Sequence, residues 1–253
     1  MPLKFAANLT FLWAELPYLD RFSAAADAGF EAVEILFPYE APVKETQRAL
    51  TANGLQMILL NAPPPNYTGG QRGFAAQPDM VVRFRHDIQR SYRYAEALGV
   101  SFIHVMSGEA EGPAAKQTFV DNLRWAAEKA PDGVTLTIEP LNQTAMPGYY
   151  MSDYGLAAEV LAAVDAPNVA LQYDSYHAQM IHGDAVAVFE EYRPMTRHIQ
   201  IGDTPGRGVP GSGEVDFARL FDRIESSGYD GWISAEYHTG GRTEDTLNWM
   251  KRS

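Results

Sequence analysis

Four stretches of this 253-residue chain end an apolar run on residues that can move a proton or bind a cation. They read TLTIEPLN with Glu139, ALQYDSYH with Asp174 and His177, HIQIGD with His198, Gln200 and Asp203, and WISAEYH with Glu236 and His238. A carboxylate closing a buried segment is costly unless it is paired or binds a cation. One such glutamate alone reads as a cap or half of a salt bridge. Three carboxylates and an amide at one point suit proton transfer, with one group taking the proton and another returning it. The same oxygen donors suit a divalent metal, Mg2+ or Mn2+. Cysteine is absent and six histidines give no evident all-nitrogen set for zinc. His177 is expected in a loop over the site. His198 lies two residues from Gln200 on one strand face, and reads equally well as a buried core histidine.

These residues converge only if their strands lie side by side. Candidate strands fall at 4–9, 32–37, 56–61, 102–106, 135–139, 169–174, 198–202 and 232–237. Several are continuous apolar runs (VEILF, MILL, FIHVM), the pattern of parallel strands buried on both faces. Helical patterns alternate with them at 17–29, 43–54, 81–99, 119–130, 153–164, 185–192, 216–228 and 244–253. Pro17, Gly29, Gly54 and Gly99 punctuate them, and Asp153 and Asp216 stand at N-cap positions. Eight strand–helix units with right-handed crossovers predict an α/β fold, a (β/α)8 TIM barrel, as one domain over 1–253. An open doubly wound sheet is the alternative, but no glycine-rich phosphate loop follows the first strand. Two long Gly/Pro-rich segments, 61–79 and 202–216, then lie at the C-terminal mouth, where barrel enzymes keep their sites.

Composition narrows the class. The 32 acidic and 20 basic residues give a formal charge of −12, which repels a phosphate backbone and argues against nucleic acid as a partner. Without cysteine, disulfides and thiol catalysis are excluded. No signal pattern opens the chain and no apolar run reaches membrane length, so the expectation is a cytoplasmic protein without a membrane partner. Oligomeric state is not legible, which leaves room for a homo-oligomer.

The segments ANLTFLW, LDRFSAAADAGFEAVEILFPYE, HVMSGEAEG, TIEPLN, LQYDSYHAQ, HIQIGDTPGRGVPGSGEVDF and GYDGWISAEY resemble the hydroxypyruvate isomerase family, one of the xylose-isomerase-like barrels. The resemblance runs in order along nearly the whole chain. It implies that Glu139 and Glu236 are the acid/base pair and that Glu139, Asp174, Gln200 and Glu236 hold a divalent metal. Gln200 stands where the related epimerases usually place a histidine. The resemblance also implies that His177 touches substrate oxygens and that Arg207 binds substrate. One loop departs: NAPPPNYTGGQRG replaces a family form like NLPAG-W--GERG, keeping the glycines and Arg72.

The implied reaction interconverts hydroxypyruvate and tartronate semialdehyde through an enediolate, with the cation stabilising the oxyanion. A small keto or hydroxy acid needs a cationic partner for its carboxylate, and Arg207 is the first candidate, Arg72 the second. The alternatives are an isomerase of a longer 2-oxo acid such as a 2-oxo-tetronate, a ketose 3-epimerase, a nuclease like endonuclease IV, and a non-catalytic sugar-acid binder. The nuclease needs many histidine ligands and a basic face. The binder leaves the paired glutamates without a use.

Overall fold

The computed structural model describes residues 2–66 and 69–250. Eight parallel strands close into one barrel in sequence order. They are β1 (Lys4–Asn8), β2 (Ala32–Glu34), β3 (Gln56–Asn61), β4 (Phe102–His104), β5 (Thr135–Ile138), β6 (Val169–Asp174), β7 (Thr196–Ile201) and β8 (Trp232–Ala235). The barrel shuts where β1 pairs with β8 in the register Lys4↔Trp232 to Ala7↔Ala235. The expected fold class is therefore the observed one. Most strands are shorter than their apolar runs. Pairing stops at Ile138 and Ala235, so Glu139 and Glu236 are the first residues past the ladder, on the C-terminal mouth.

The α-helices are α1 (Asp20–Asp27), α2 (Val43–Asn53), α3 (Val81–Leu98), α4 (Gly112–Lys129), α5 (Tyr154–Val164), α6 (Ser175–His182), α7 (Ala185–Tyr192) and α8 (Phe217–Ser226). They pack apolar faces such as Phe119, Leu123 and Ala126 of α4 against the outside of the barrel. Asp153 and Asp216 cap α5 and α8, accepting backbone N–H bonds from Gly155 and Leu156, and from Arg219.

Three expectations need correction. Helix α4 begins seven residues before 119, because Gly112–Pro113 opens it with proline in its first turn. An additional helix, α6, follows β6 directly, so His177 lies on a helix rather than in a loop. Asp174 both ends β6 and caps α6 by accepting from Tyr176 N at 2.8 Å. The chain's last described element is a 3-10 helix, Thr243–Met250, where an α-helix over 244–253 was expected. Side chains compete with its backbone: Thr246 Oγ1 bonds Thr243 O, and the Trp13 N–H groups hold Thr243 Oγ1 and Glu244. Residues 251–253 of that predicted helix, and 67 and 68 of the loop after β3, lie outside the described residues.

Glycine matters at one crossing. Gly73 (φ +89°) and Gly108 (φ +79°) bring the loops after β3 and β4 together through a bridge between Gly73 and Ser107. A Cβ on Gly73 would lie 2.3 Å from Met106 Cβ, and one on Gly108 would lie 2.4 Å from Gly73 O. The contact fixes the loop that carries Arg72.

Candidate active site

The barrel's interior is polar near its mouth. Asn8, Glu34, Asn61, His104, Thr137, Gln172, Asp174, His198, Gln200 and Ser234 are all buried, and they come from all eight strands. Above them opens a cavity of about 320 Å³ whose walls include Arg72, Glu139, His177, Arg207 and Glu236. These residues were all singled out in the sequence. Asp174 and Gln200, also singled out, are fully buried and do not line the cavity; Asp174 is bonded to Arg207, and Gln200 to Gln172 and Glu34.

Arg207 reaches the site from the long loop after β7. Its own backbone is left-handed (φ 53°), and the loop around it folds on Asp203. That carboxylate accepts backbone N–H bonds from Thr204, Gly211, Gly213 and Val215 at 2.8–3.0 Å. Asp203, which the sequence places among the strand-end polar residues, thus organises the arginine's loop instead of facing the cavity. The Arg207 guanidinium sits on both Asp174 and Glu236, with Nη2 2.5 Å from Glu236 Oε1. Burial works against the guanidinium's charge, but Glu236 and Asp174 more than offset it and hold the proton more firmly.

The carboxylates are crowded. Burial pushes Glu139 well above the usual carboxylate range, and the charges of Asp174 and Glu236 push the same way. Glu236 is raised to about 8 by burial, with Arg207 opposing and Glu34 and Asp174 adding to the rise. Asp174 is raised by burial, against the pull of Arg207. Two carboxyls raised above their usual range beside one cavity are the arrangement acid/base chemistry needs.

Glu139, Asp174 and His177 each place one ligand atom within 4.8 Å of the others, a spacing that can hold a metal ion. Glu139 Oε1 is buried and has no hydrogen-bond partner among the described residues, as expected of an oxygen reserved for a cation or a substrate proton. His177 is less suited to ligation than its position suggests. Its Nδ1 accepts from the Asn142 backbone N–H at 3.0 Å and from Asn142 Nδ2 at 2.9 Å. Asn142 Oδ1 is held by Ala145 N, which fixes the amide's orientation. Burial, and next Arg207, lower the imidazole's affinity for a second proton. The ring is therefore neutral with its proton on Nε2, which lies 4.0 Å from Glu139 Oε1 and 3.5 Å from Arg207 Nη1.

Sequence reasoning missed the residues beneath. Glu34, in the apolar run VEILF, is fully buried and accepts from His198 Nε2 at 2.9 Å. Strands β2 and β7 are not neighbours, so this bond crosses the barrel interior. His198 is thus the buried, hydrogen-bonded core histidine of the two readings. Burial pushes Glu34 up, but the hydrogen bond and charge of His198, with a further bond from Gln200, bring it below the usual range. A glutamate interrupting an apolar strand was the available signal.

A family model described as xylose isomerase-like TIM barrel matches residues 22–253. The chain is 41% identical to the 2-oxo-tetronate isomerase of Pectobacterium atrosepticum, over 98% of this chain and 97% of that one. It is 37% identical to the hydroxypyruvate isomerase of Escherichia coli, over 98% of each. Its backbone is similar to a crystal structure described as AP endonuclease, family 2, from Brucella melitensis, with TM-score 0.95, 40% identity and complete coverage of both chains. Among the described residues, no helix is long and apolar enough to cross a membrane.

Proposed function

We propose a reaction on the premise that the chain belongs to the xylose isomerase-like TIM barrel family and is an isomerase of the hydroxypyruvate isomerase type. The substrate is a small 2-oxo acid with a hydroxyl on the carbon beside its ketone, hydroxypyruvate being the smallest. One glutamate of the pair Glu139 and Glu236 removes a proton from the hydroxyl-bearing carbon, which leaves an enediolate. The other delivers a proton to the former ketone carbon, and the hydroxyl proton passes between the two oxygens. With hydroxypyruvate the product is tartronate semialdehyde. The observation that carries this reading is the convergence of two buried carboxylates, both raised above their usual range, on one cavity that also presents a guanidinium.

Glu139, Asp174, Gln200 and Glu236 are the residues that would hold a divalent Mg2+ or Mn2+. The donor set is hard and oxygen-based, and the unpartnered Glu139 Oε1 fits it. Such an ion would supply Lewis-acid stabilisation of the developing oxyanion. His177 donates from Nε2 to a substrate oxygen. Arg207, with Arg72 behind it on the cavity wall, binds the substrate carboxylate.

A four-carbon 2-oxo-tetronate is the second reading, favoured by the 41% identity to a relative of that name. A panel in D2O separates these: Mn2+-loaded protein with hydroxypyruvate, 2-oxo-tetronates and a neutral ketose, followed by NMR. The expected result is isomerisation of an acid with deuterium entering at carbon. Turnover of the ketose alone, or binding without exchange, overturns the reading.

A further inference from the structure

We propose that Glu34 and Asn8 are positioning residues that hold the two glutamates of the site through one continuous chain of hydrogen bonds; the inference rests on the acid/base reading of that pair. The chain can be followed atom by atom. Gln172 Nε2 donates to Glu139 Oε2 at 2.9 Å and to Gln200 Oε1 at 2.7 Å. Gln200 Nε2 donates to Glu34 Oε1 at 2.6 Å. Asn8 Nδ2 donates to the same Glu34 oxygen at 2.7 Å and to Glu236 Oε2 at 2.8 Å. Glu139 and Glu236 are thus the two ends of one buried network with Glu34 at its centre.

Direction in this network is set at Glu34. Its Oε1 accepts N–H groups from both Asn8 and Gln200, and its Oε2 faces His198 Nε2 at 2.9 Å. Since the Gln200 amide nitrogen faces Glu34, its oxygen must face Gln172. The Gln172 nitrogen must then point at Gln200 and Glu139, and its oxygen accepts from Thr137 Oγ1 at 2.8 Å. No amide in the chain can flip without placing acceptor against acceptor. The result is one N–H on one oxygen of each site glutamate. The other oxygen is Oε1 in both residues: in Glu139 it is unpartnered, and in Glu236 it meets Arg207. Neither Glu34 nor Asn8 lines the cavity. Their effect on the reaction runs through the orientation of Glu139 and Glu236, where a small misplacement can cost about a hundredfold.

The test uses Mn2+-loaded Asn8→Ala and Glu34→Gln, with Glu236→Gln alongside, each assayed for kcat, KM and melting temperature on the acid the wild type turns over. Asn8→Ala removes the bond to Glu236, and Glu34→Gln turns a donor against one of the three N–H groups. The expectation is a fall in kcat of roughly tenfold or more in both, with KM within about threefold, in protein that is fully folded at the assay temperature. If Glu236→Gln keeps wild-type turnover, the acid/base reading itself falls. If Glu236→Gln is inactive while folded Asn8→Ala and Glu34→Gln turn over normally, only the positioning proposal falls. A loss that merely tracks the unfolded fraction also overturns it. Should either variant not fold, Gln172→Met, which keeps the volume and removes the donor to Glu139, takes its place with the same expectation. If none of the three folds, the network serves folding alone and the proposal is overturned.

Discussion

Arg207 holds Glu236 twice: its Nη2 lies 2.5 Å from the carboxylate and its Nε donates to the same residue's backbone carbonyl at 3.2 Å. The main-chain contact fixes the arm of the arginine, so the guanidinium can exchange one carboxylate for another without leaving the cavity. A substrate acid can recruit it in this way, and a neutral sugar cannot. Arg207→Ala should therefore reduce kcat/KM on the acid by roughly ten- to a hundredfold, from a charged hydrogen bond of about 1.5–3 kcal/mol. Kinetics on one acid and one neutral ketose check this. Equal losses on both would make Arg207 an organiser of its loop, and no loss on either would shift the role to Arg72.

Glu139→Gln and Glu236→Gln should each lower turnover by at least about a hundredfold, the scale of a lost acid/base group. Both should keep the fold, because the amide keeps the side chain's shape and each glutamate's raised pKa already favours its uncharged form. Circular dichroism melts and steady-state rates on the same samples read both claims. A variant near the wild-type rate would remove that residue from the pair.

Protons and a divalent cation should compete for this site. Glu236 is raised from 4.5 to about 8, so below pH 8 it mostly holds a proton that the cation must displace. Apparent Mn2+ affinity should rise from pH 6 to pH 8, with proton release on binding at the lower pH. Titration calorimetry in two buffers of different ionisation enthalpy measures this directly, and pH-independent binding without release would contradict it. The sign for stability is opposite. A carboxyl with a raised folded-state pKa leaves the folded chain binding more protons, so its contribution falls as pH rises from 4.5 through 8. With chelator present, the wild type should lose stability relative to Glu236→Gln over that window. Chelation should also abolish turnover, and Mg2+ or Mn2+ should restore it; full activity of verified metal-free protein would remove the metal from the proposal.

Gly73→Ala should destabilise the fold by about 2 kcal/mol or more. It adds the strain of a left-handed alanine to a Cβ clash with Met106, whose backbone cannot yield cheaply. A denaturant titration gives the value. An unchanged midpoint would show that the loops after β3 and β4 separate freely.

The barrel and the outer layer of the site were legible in the sequence for one reason. Parallel strands write themselves as apolar runs, and a charge at the end of such a run stands out, as Glu139, Asp174 and Glu236 do. The inner layer was hidden by the same rule. Asn8 and Glu34 end short strands whose apolar runs continue past them, and what they contact depends on register around the closed barrel, which periodicity does not encode. Helix α6 was missed because SYHAQMIH lacks an apolar stripe, and its cap, Asp174, also ends a strand. The orientation of His177, decided by Asn142, is a property of α6 meeting the loop after β5 and has no signature along the chain.

Closure of the barrel by β1 on β8 sets when the site can come into being. Asn8 and Glu236 are 228 positions apart, yet they share a hydrogen bond. During synthesis β1, bearing Asn8, leaves the ribosome before the other seven strands, and β8, with Glu236 just past it, leaves after them. Until then β1 has one unpaired edge, and Glu34 and His198 face an open trough. A nascent chain short of β8 holds seven-eighths of the barrel's strands and only one of the two glutamates, so activity should arrive in a single step once β8 and Glu236 have emerged.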